Sequence, residues 1–256
     1  IGKSIAAFSN KPLIGVNHLE GHALSPSIEN KITFPYLLLL VSGGHSQYII
    51  VKGLNNYKQI GTTIDDAVGE AFDKTAKILN LGYPGGPSVE KFAKLGNKNS
   101  YILPQPIINR GGCNLSLAGL KTDVLRKSKN IKSKQDKYNL AASFQETVNK
   151  ILRKKTTTAM KIFKENISSK TTNSFVVAGG VAANETIRKN LKEISEKNNF
   201  KAIFPSKEFC GDNAAMIAWA GIHRFKKKLN QKNETVKSRW PLDNKAPFLK
   251  GPGLKF

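Results

Sequence analysis

The chain has 256 residues, room for one large domain or two small lobes around a real core. Hydrophobic residues at 39% and charged ones at 23% exclude a disordered composition, and the longest apolar runs, Tyr36–Val41 and Ala214–Ala220, fall far short of the roughly 18 residues that span a bilayer. Forty-one basic residues against 18 acidic ones give +23, a field that favours a polyanionic partner.

In chain order, Pro12–Val16 reads as a short strand and His18–Leu24 as a helix. The unbroken apolar run Tyr36–Val41 predicts a buried strand, Gly43-Gly44 a turn and His45–Val51 a second strand, so that 36–52 is a hairpin. A helix is expected over Asp65–Leu79, then a tight loop at Tyr83-Pro84-Gly85-Gly86-Pro87 and a second helix near Ser88–Leu95. Residues 97–117 are turn-rich. Ala141, Phe144, Val148, Ile151 and Leu152 step by three and four, a helical pattern that runs on through Met160 and Phe163. Ser174–Ala178 is a buried strand broken by Gly179-Gly180, Ile187, Leu191 and Ile194 mark a helix, Ala202–Phe204 another strand, and Asn213–Phe225 a small-residue helix. The tail after Lys226 is basic and contains proline, a loop signature. Mixed strands and helices make the class α/β.

His18 and His22 stand at i and i+4, one face of a helix, where both rings reach one cation. The pattern is not HExxH, because Glu20 is in the third position, so zinc-protease geometry does not transfer. A third ligand is needed, and Asp212, just before a helix, is the candidate; an ordinary helix cap is the other reading of that residue. Three glycine pairs, Gly43-Gly44, Gly85-Gly86 and Gly179-Gly180, sit where a backbone could approach a phosphate or nucleotide, although each alone is also an ordinary turn. Asp66, Glu70 and Asp73 share a helix face and suit a ribose, a metal or a proton, or simply solvent. His45 and His223 carry no comparable pattern. Cys113 and Cys210, the only cysteines, are too few for a zinc knuckle or a disulfide framework, which fits a reducing cytoplasm.

Charge is concentrated in two stretches: residues 121–170 hold 14 basic and 4 acidic residues, and residues 221–256 hold 10 and 2. Because 35 of the 41 basic residues are Lys, contact with phosphate is favoured over reading of bases, and Arg153-Lys154-Lys155 is the sharpest cluster.

Seven ordered blocks together resemble one family. They are Asn17–His22, Leu40–His45, Asp65–Lys74, Tyr83–Pro87, Gly119–Thr122, Ala178–Asn184 and Asp212–Ala218, and the closing Arg239–Leu242 is similar to the bacterial branch. The family is the tRNA N6-adenosine threonylcarbamoyltransferases, TsaD in bacteria and formerly described as glycoproteases. The resemblance implies an actin- and Hsp70-like two-lobed ATPase fold, with residues 1–33 the end of the first lobe, 34–225 the second lobe and its cleft, and 226–256 a basic tail. It implies transfer of threonylcarbamoyl from threonylcarbamoyl-AMP to N6 of adenosine 37 in tRNAs that read codons beginning with A. Residues matching His18, His22 and Asp212 then hold one divalent ion, Fe2+ or else Zn2+, and those matching Leu40, Val41, Ser42, Gly43, Gly44, Asp73, Gly86 and Asn184 contact the activated nucleotide. The implied partners are tRNA, TsaB and TsaE, and the implied location is cytoplasmic.

Three departures accompany the match. The opening hairpin of the family has no counterpart before Ile1, which predicts that most of the first lobe is missing and that this chain alone is inactive. Leu117-Ala118 stands where the family has Phe-Ser, and Gly211 where it has Thr or Ser. Two competing readings are a metalloprotease, which needs a water-activating carboxylate beside the ligands, and an inactive paralogous scaffold, which needs no metal ligands at all.

Overall fold

The computed structural model describes residues 1–167, 173–229, 235–237 and 240–246. Its centre is a five-stranded sheet built from β1 (Tyr36–Val41), β2 (Ser46–Gly53), β3 (Asn56–Thr62), β4 (Asn173–Ala178) and β5 (Phe200–Ile203), in the order β3-β2-β1-β4-β5. β1, β2 and β3 form an antiparallel meander, and β4 and β5 join β1 in parallel. The all-apolar sequence of β1 follows from its position. Leu37, Leu39 and Val41 enter the core on one face, while Tyr36, Leu38 and Leu40 enter a second core on the other.

The first face is covered by α3 (Val68–Ile78), α4 (Gly85–Ala93), α5 (Ala118–Ser128), α6 (Lys134–Asn166) and α7 (Glu185–Lys197). The second face is covered by α2 (His18–Leu24), whose Leu19 and Ala23 lie in the core there, and α8 (Ala214–Lys226) packs against α2. A short α1 (Gly2–Phe8) buries nothing.

Several expectations are corrected. Pro12–Val16 pairs with no strand and runs as irregular chain into α2. β3 and α5 carry weak sequence signals for physical reasons. β3 is an edge strand buried only at Gly61 and Thr62, and α5 takes its cap from a distant residue: Asp65 Oδ1 accepts the Leu117 and Ala118 N–H groups at 2.7 and 3.2 Å. The same bonds make the Leu117-Ala118 departure harmless to the backbone. α4 begins at Gly85 rather than Ser88, because Asp73 Oδ1 accepts the Gly85 N–H at 3.0 Å. α6 begins seven residues before Ala141 at a capping box, Ser133 with Asp136, which a search for apolar periodicity passes over.

Candidate active-site cleft and metal centre

β1 and β4 are parallel neighbours, and their C-terminal ends lie side by side; open α/β sheets place ligands at such ends. The turns that leave them are packed backbone to backbone. A Cβ on Gly179 would stand 2.3 Å from the Val41 carbonyl oxygen, and one on Gly69, in the first turn of α3, 2.6 Å from that of Ser42. A Cβ on Gly85 would stand 2.4 Å from Asp73 Cα. Nothing lies within 4 Å of the corresponding positions on Gly43, Gly44, Gly86 and Gly180. Two of the glycine pairs therefore divide one labour. Gly85 and Gly179 let backbones close, while Gly86 and Gly180 leave an open face that a ligand can approach.

The remaining residues assigned to substrate are placed as follows. Leu40 and Val41 are fully buried, so only their backbone can meet a ligand. Asp73 is exposed, with one oxygen committed to Gly85. The Asn184 side chain is engaged at both ends: Oδ1 caps α7 at the Ile187 N–H (2.9 Å) and Nδ2 donates to Gln145 Oε1 (2.9 Å). The acidic face of α3 is not an open cluster. Asp66 pairs with Lys74 and Lys121, each at 2.9 Å, and Glu70 with Lys74 at 2.6 Å. Burial alone would raise the Asp66 pKa, but the hydrogen bonds from Lys121 and Lys74 outweigh it and hold the carboxyl below its usual range.

His18, His22 and Asp212 meet across a long stretch of chain. α2 presents His18 at its first residue and His22 one turn later, and Asp212 precedes the Asn213 cap of α8. His22 Nε2 lies 3.0 Å and His18 Nε2 3.4 Å from the same oxygen, Asp212 Oδ1, and one ligand atom from each residue lies within 4.8 Å of the others. Ligands about 2.1 Å from one first-row ion stand roughly 3.0 to 3.4 Å apart in octahedral or tetrahedral geometry. Two imidazoles and one carboxylate suit a divalent transition metal, and the set leaves further coordination positions open. The donor types suit such an ion, and the two imidazole-to-carboxylate distances fall in that range. Gly211 departs from the family pattern without losing a packing contact, since nothing lies within 4 Å of the position a Cβ would take.

His45 is the site residue that pattern reading passed over. It follows Gly44 directly, and the charges of His18 and Asp212 both reach it. Its place in the sequence, immediately after an open glycine pair, was the available signal. The His45 N–H donates to Ser42 Oγ at 3.1 Å, which closes the Ser42–Gly44 turn at the end of β1. Burial, then the charge of His18, lowers the pKa of both His22 and His45, and burial, then Lys226, lowers that of His223. A histidine with a depressed native pKa binds its proton more readily in the unfolded chain. Chelator-treated protein should therefore lose stability as pH falls through and below the ordinary histidine pKa of 6.5, and be insensitive above it. Thermal midpoints between pH 8 and 5.5 measure this, and a flat profile would contradict it.

Two further expectations change. Glu20 is buried on the far side of α2, bound to Arg224 (2.8 Å) and the Tyr57 hydroxyl (2.5 Å), and so is not available to activate water for peptide hydrolysis. Arg153-Lys154-Lys155 presents only two of its three residues to solvent, Arg153 and Lys154. Lys155 is buried, donating to the Arg110 and Gly112 carbonyls at 2.8 and 3.3 Å, and Arg153 is bound to Asn190. Arg239 lies outside the described residues. Among the described residues no helix is long and apolar enough to cross a membrane.

Comparison with known proteins bears on the fold and the family. The structure resembles full-length HypF in its phosphate- and nucleotide-bound form (TM-score 0.65, 14% identity, 90% of this chain and 38% of that one) and HypF of T. kodakarensis (TM-score 0.64, 16% identity, 88% and 38%). At that identity the likeness speaks for the fold alone, the α/β actin- and Hsp70-like class. A curated relative from Pelagibacter ubique (strain HTCC1062), a tRNA N6-adenosine threonylcarbamoyltransferase, is 57% identical over 99% of this chain and 71% of its own length. The protein of the same name from Rhizobium meliloti (strain 1021) is 46% identical over 99% of this chain and 72% of its own. The family model described as tRNA N6-adenosine threonylcarbamoyltransferase matches residues 1–219, and with the cleft and the triad placed as above, the chain belongs to that family of tRNA-modifying transferases.

Proposed function

We propose that this chain carries the transferase centre that moves threonylcarbamoyl from threonylcarbamoyl-AMP to N6 of adenosine at tRNA position 37, in tRNAs that read codons beginning with A. The observation that carries the reading is the convergence of His18 and His22 on one oxygen of Asp212, in a chain that also leaves open glycine faces at Gly43, Gly44, Gly86 and Gly180. The glycine faces suit an adenylate, whose phosphate can take unobstructed backbone amides. The triad would hold one divalent cation, Fe2+ or Zn2+, which when bound supplies Lewis acidity toward a carbonyl or phosphate oxygen.

The chain's own residues bind and orient. The Ser42–Gly44 turn and the Gly86 and Gly180 faces seat the nucleotide, and the packing of Gly69 and Gly179 against β1 fixes where that seat is. The exocyclic N6 attacks the carbamoyl carbon, a C–N bond forms, the C–O bond to phosphate breaks, and AMP leaves with its electron pair while N6 loses a proton. A scaffold without chemistry would have no use for three convergent ligands, and a protease would need the carboxylate that Glu20 does not supply. The net charge of +23 suits an anticodon stem-loop held chiefly through phosphate. TsaB and TsaE are the proposed protein partners and the cytoplasm the proposed compartment.

The test is nucleoside analysis after incubating the protein, co-expressed with a first-lobe fragment, and those partners with tRNA and threonylcarbamoyl-AMP. Expected results are equimolar modified adenosine and AMP, and a tRNA affinity that falls by at least about tenfold between low and moderate salt. Peptide cleavage without tRNA modification, or salt-independent tRNA binding, would overturn the reading.

A further inference from the structure

The helix that carries the two histidines is held from behind by residues that supply no ligand. Glu20 lies two positions from each histidine, about 200° around the helix, and so faces away from the metal triad. It is 1% exposed, and its Oε2 accepts from Arg224 Nη1, itself 3% exposed, at 2.8 Å. Arg224 Nη1 also donates to Asn55 Oδ1 at 3.1 Å, and the guanidinium lies 6.0 Å from the ring centre of Trp240. Asn17 uses both ends of its amide: Oδ1 caps α2 at the Leu19 N–H (2.9 Å), and Nδ2 donates to the Trp240 carbonyl (2.7 Å). Beyond Trp240, Leu242 packs on the core that contains Leu19 and Ala23, and Asp243 Oδ2 accepts the Gln59 N–H of β3 at 2.9 Å. Residues 240–243 thus cross from the edge of the sheet to the first turn of α2. Both this segment and Arg224 lie beyond residue 219, where the match to the family model ends, though the similarity to curated relatives extends over nearly the whole chain.

α2 has seven residues, too few to be stable without tertiary support. A histidine Nε2 stands roughly 7 Å from its helix axis, so a roll of about 10° displaces it by over ~1 Å. Metal–ligand distances tolerate only about 0.2 Å. A single buried carboxylate that must face Arg224 sets that roll, because turning Glu20 away would leave two buried charges unpaired.

We propose that Trp240–Asp243 and the Glu20–Arg224 pair form a clamp that fixes the roll of α2, with Asn17 as the positioning residue that joins them, so that affinity for a divalent cation at His18, His22 and Asp212 depends on a segment that donates no ligand. The proposal rests on the metal reading of that triad.

Chelator-competition titration with Co2+ on the full chain tests it, at a temperature where circular dichroism shows every metal-free variant folded. Asn17→Asp keeps the capping oxygen but replaces the donor to Trp240 with an acceptor. Leu242→Ala loosens the same segment independently, should the first variant not fold. Val124→Ala thins the core on the opposite face of the sheet and serves as the control. Wild type should bind one Co2+, the two clamp variants about tenfold more weakly with altered visible bands, and Val124→Ala as wild type does. Unchanged affinity in both clamp variants would overturn the clamp while leaving the metal site standing. An equal loss in Val124→Ala would mean general softening and would also overturn it. Failure of wild type to bind Co2+, or equal binding by Asp212→Ala, would instead overturn the metal reading and the clamp with it.

Discussion

Asp212→Ala should yield a folded protein that retains no stoichiometric metal and modifies tRNA roughly a thousandfold more slowly, the equivalent of ~4 kcal/mol of transition-state stabilisation. The side chain is 76% exposed, so little packing is lost, yet its Oδ1 is the single atom that both imidazoles approach. His22→Ala should give the same loss of metal with some loss of stability, since that ring is buried. The three ligands act as one unit, so the double variant His22→Ala/Asp212→Ala should be no worse in activity than either single one. Elemental analysis after loading with Fe2+ or Zn2+ under exclusion of oxygen measures the first quantity, and modified nucleoside released per minute the second. Full occupancy in Asp212→Ala would remove Asp212 from the site, and a multiplicative loss in the double variant would show that the residues act separately.

The parts of this site legible in the sequence were those set by local spacing. His18 and His22 share a helix face whatever surrounds them, and Tyr36–Val41 is too apolar to be anything but a strand covered on both faces. Asp212 was reachable only as a candidate, because an aspartate before a helix is also an ordinary cap; in the structure Asn213 does the capping, at the Met216 N–H, which leaves Asp212 free to face the histidines. What stayed hidden was set at long range. The role of Asp65 depends on α5, whose cap residue Leu117 lies 52 residues further along the chain. The burial of Lys155 depends on the carbonyls of Arg110 and Gly112, so three consecutive basic residues read as a surface cluster when one of them points inward. Glu20 looked like a misplaced catalytic acid because its partner, Arg224, lies 204 positions further on. Spacing along a helix says which face a residue occupies, and only the packed partner says what that face is for.

Gly179→Ala should lower the thermal midpoint by roughly 10 °C and weaken binding of the adenylate, through a cost on the order of 4 kcal/mol. Gly179 ends β4 with φ +98° and ψ 164°, a backbone region open essentially to glycine, and holding any other residue there costs about 1–3 kcal/mol. The new methyl group would also stand 2.3 Å from the Val41 carbonyl oxygen and 3.3 Å from the Ser42 nitrogen. Both obstacles are backbone, which cannot swing aside as a flexible side chain can, so the ends of β1 and β4 must part. That displaces the Ser42–Gly44 turn, the proposed seat of the nucleotide, so stability and ligand binding fall together. Gly180→Ala separates the two effects. Nothing lies within 4 Å of its Cβ position, so the fold should lose under about 1 kcal/mol, while a methyl group in the open face obstructs the ligand. Calorimetric melting of both variants beside titration with a non-hydrolysable adenylate reads the two quantities separately. A Gly179→Ala protein with wild-type melting and wild-type affinity would show that the strand ends need no such close approach, and the division of labour within the glycine pair would fall with it.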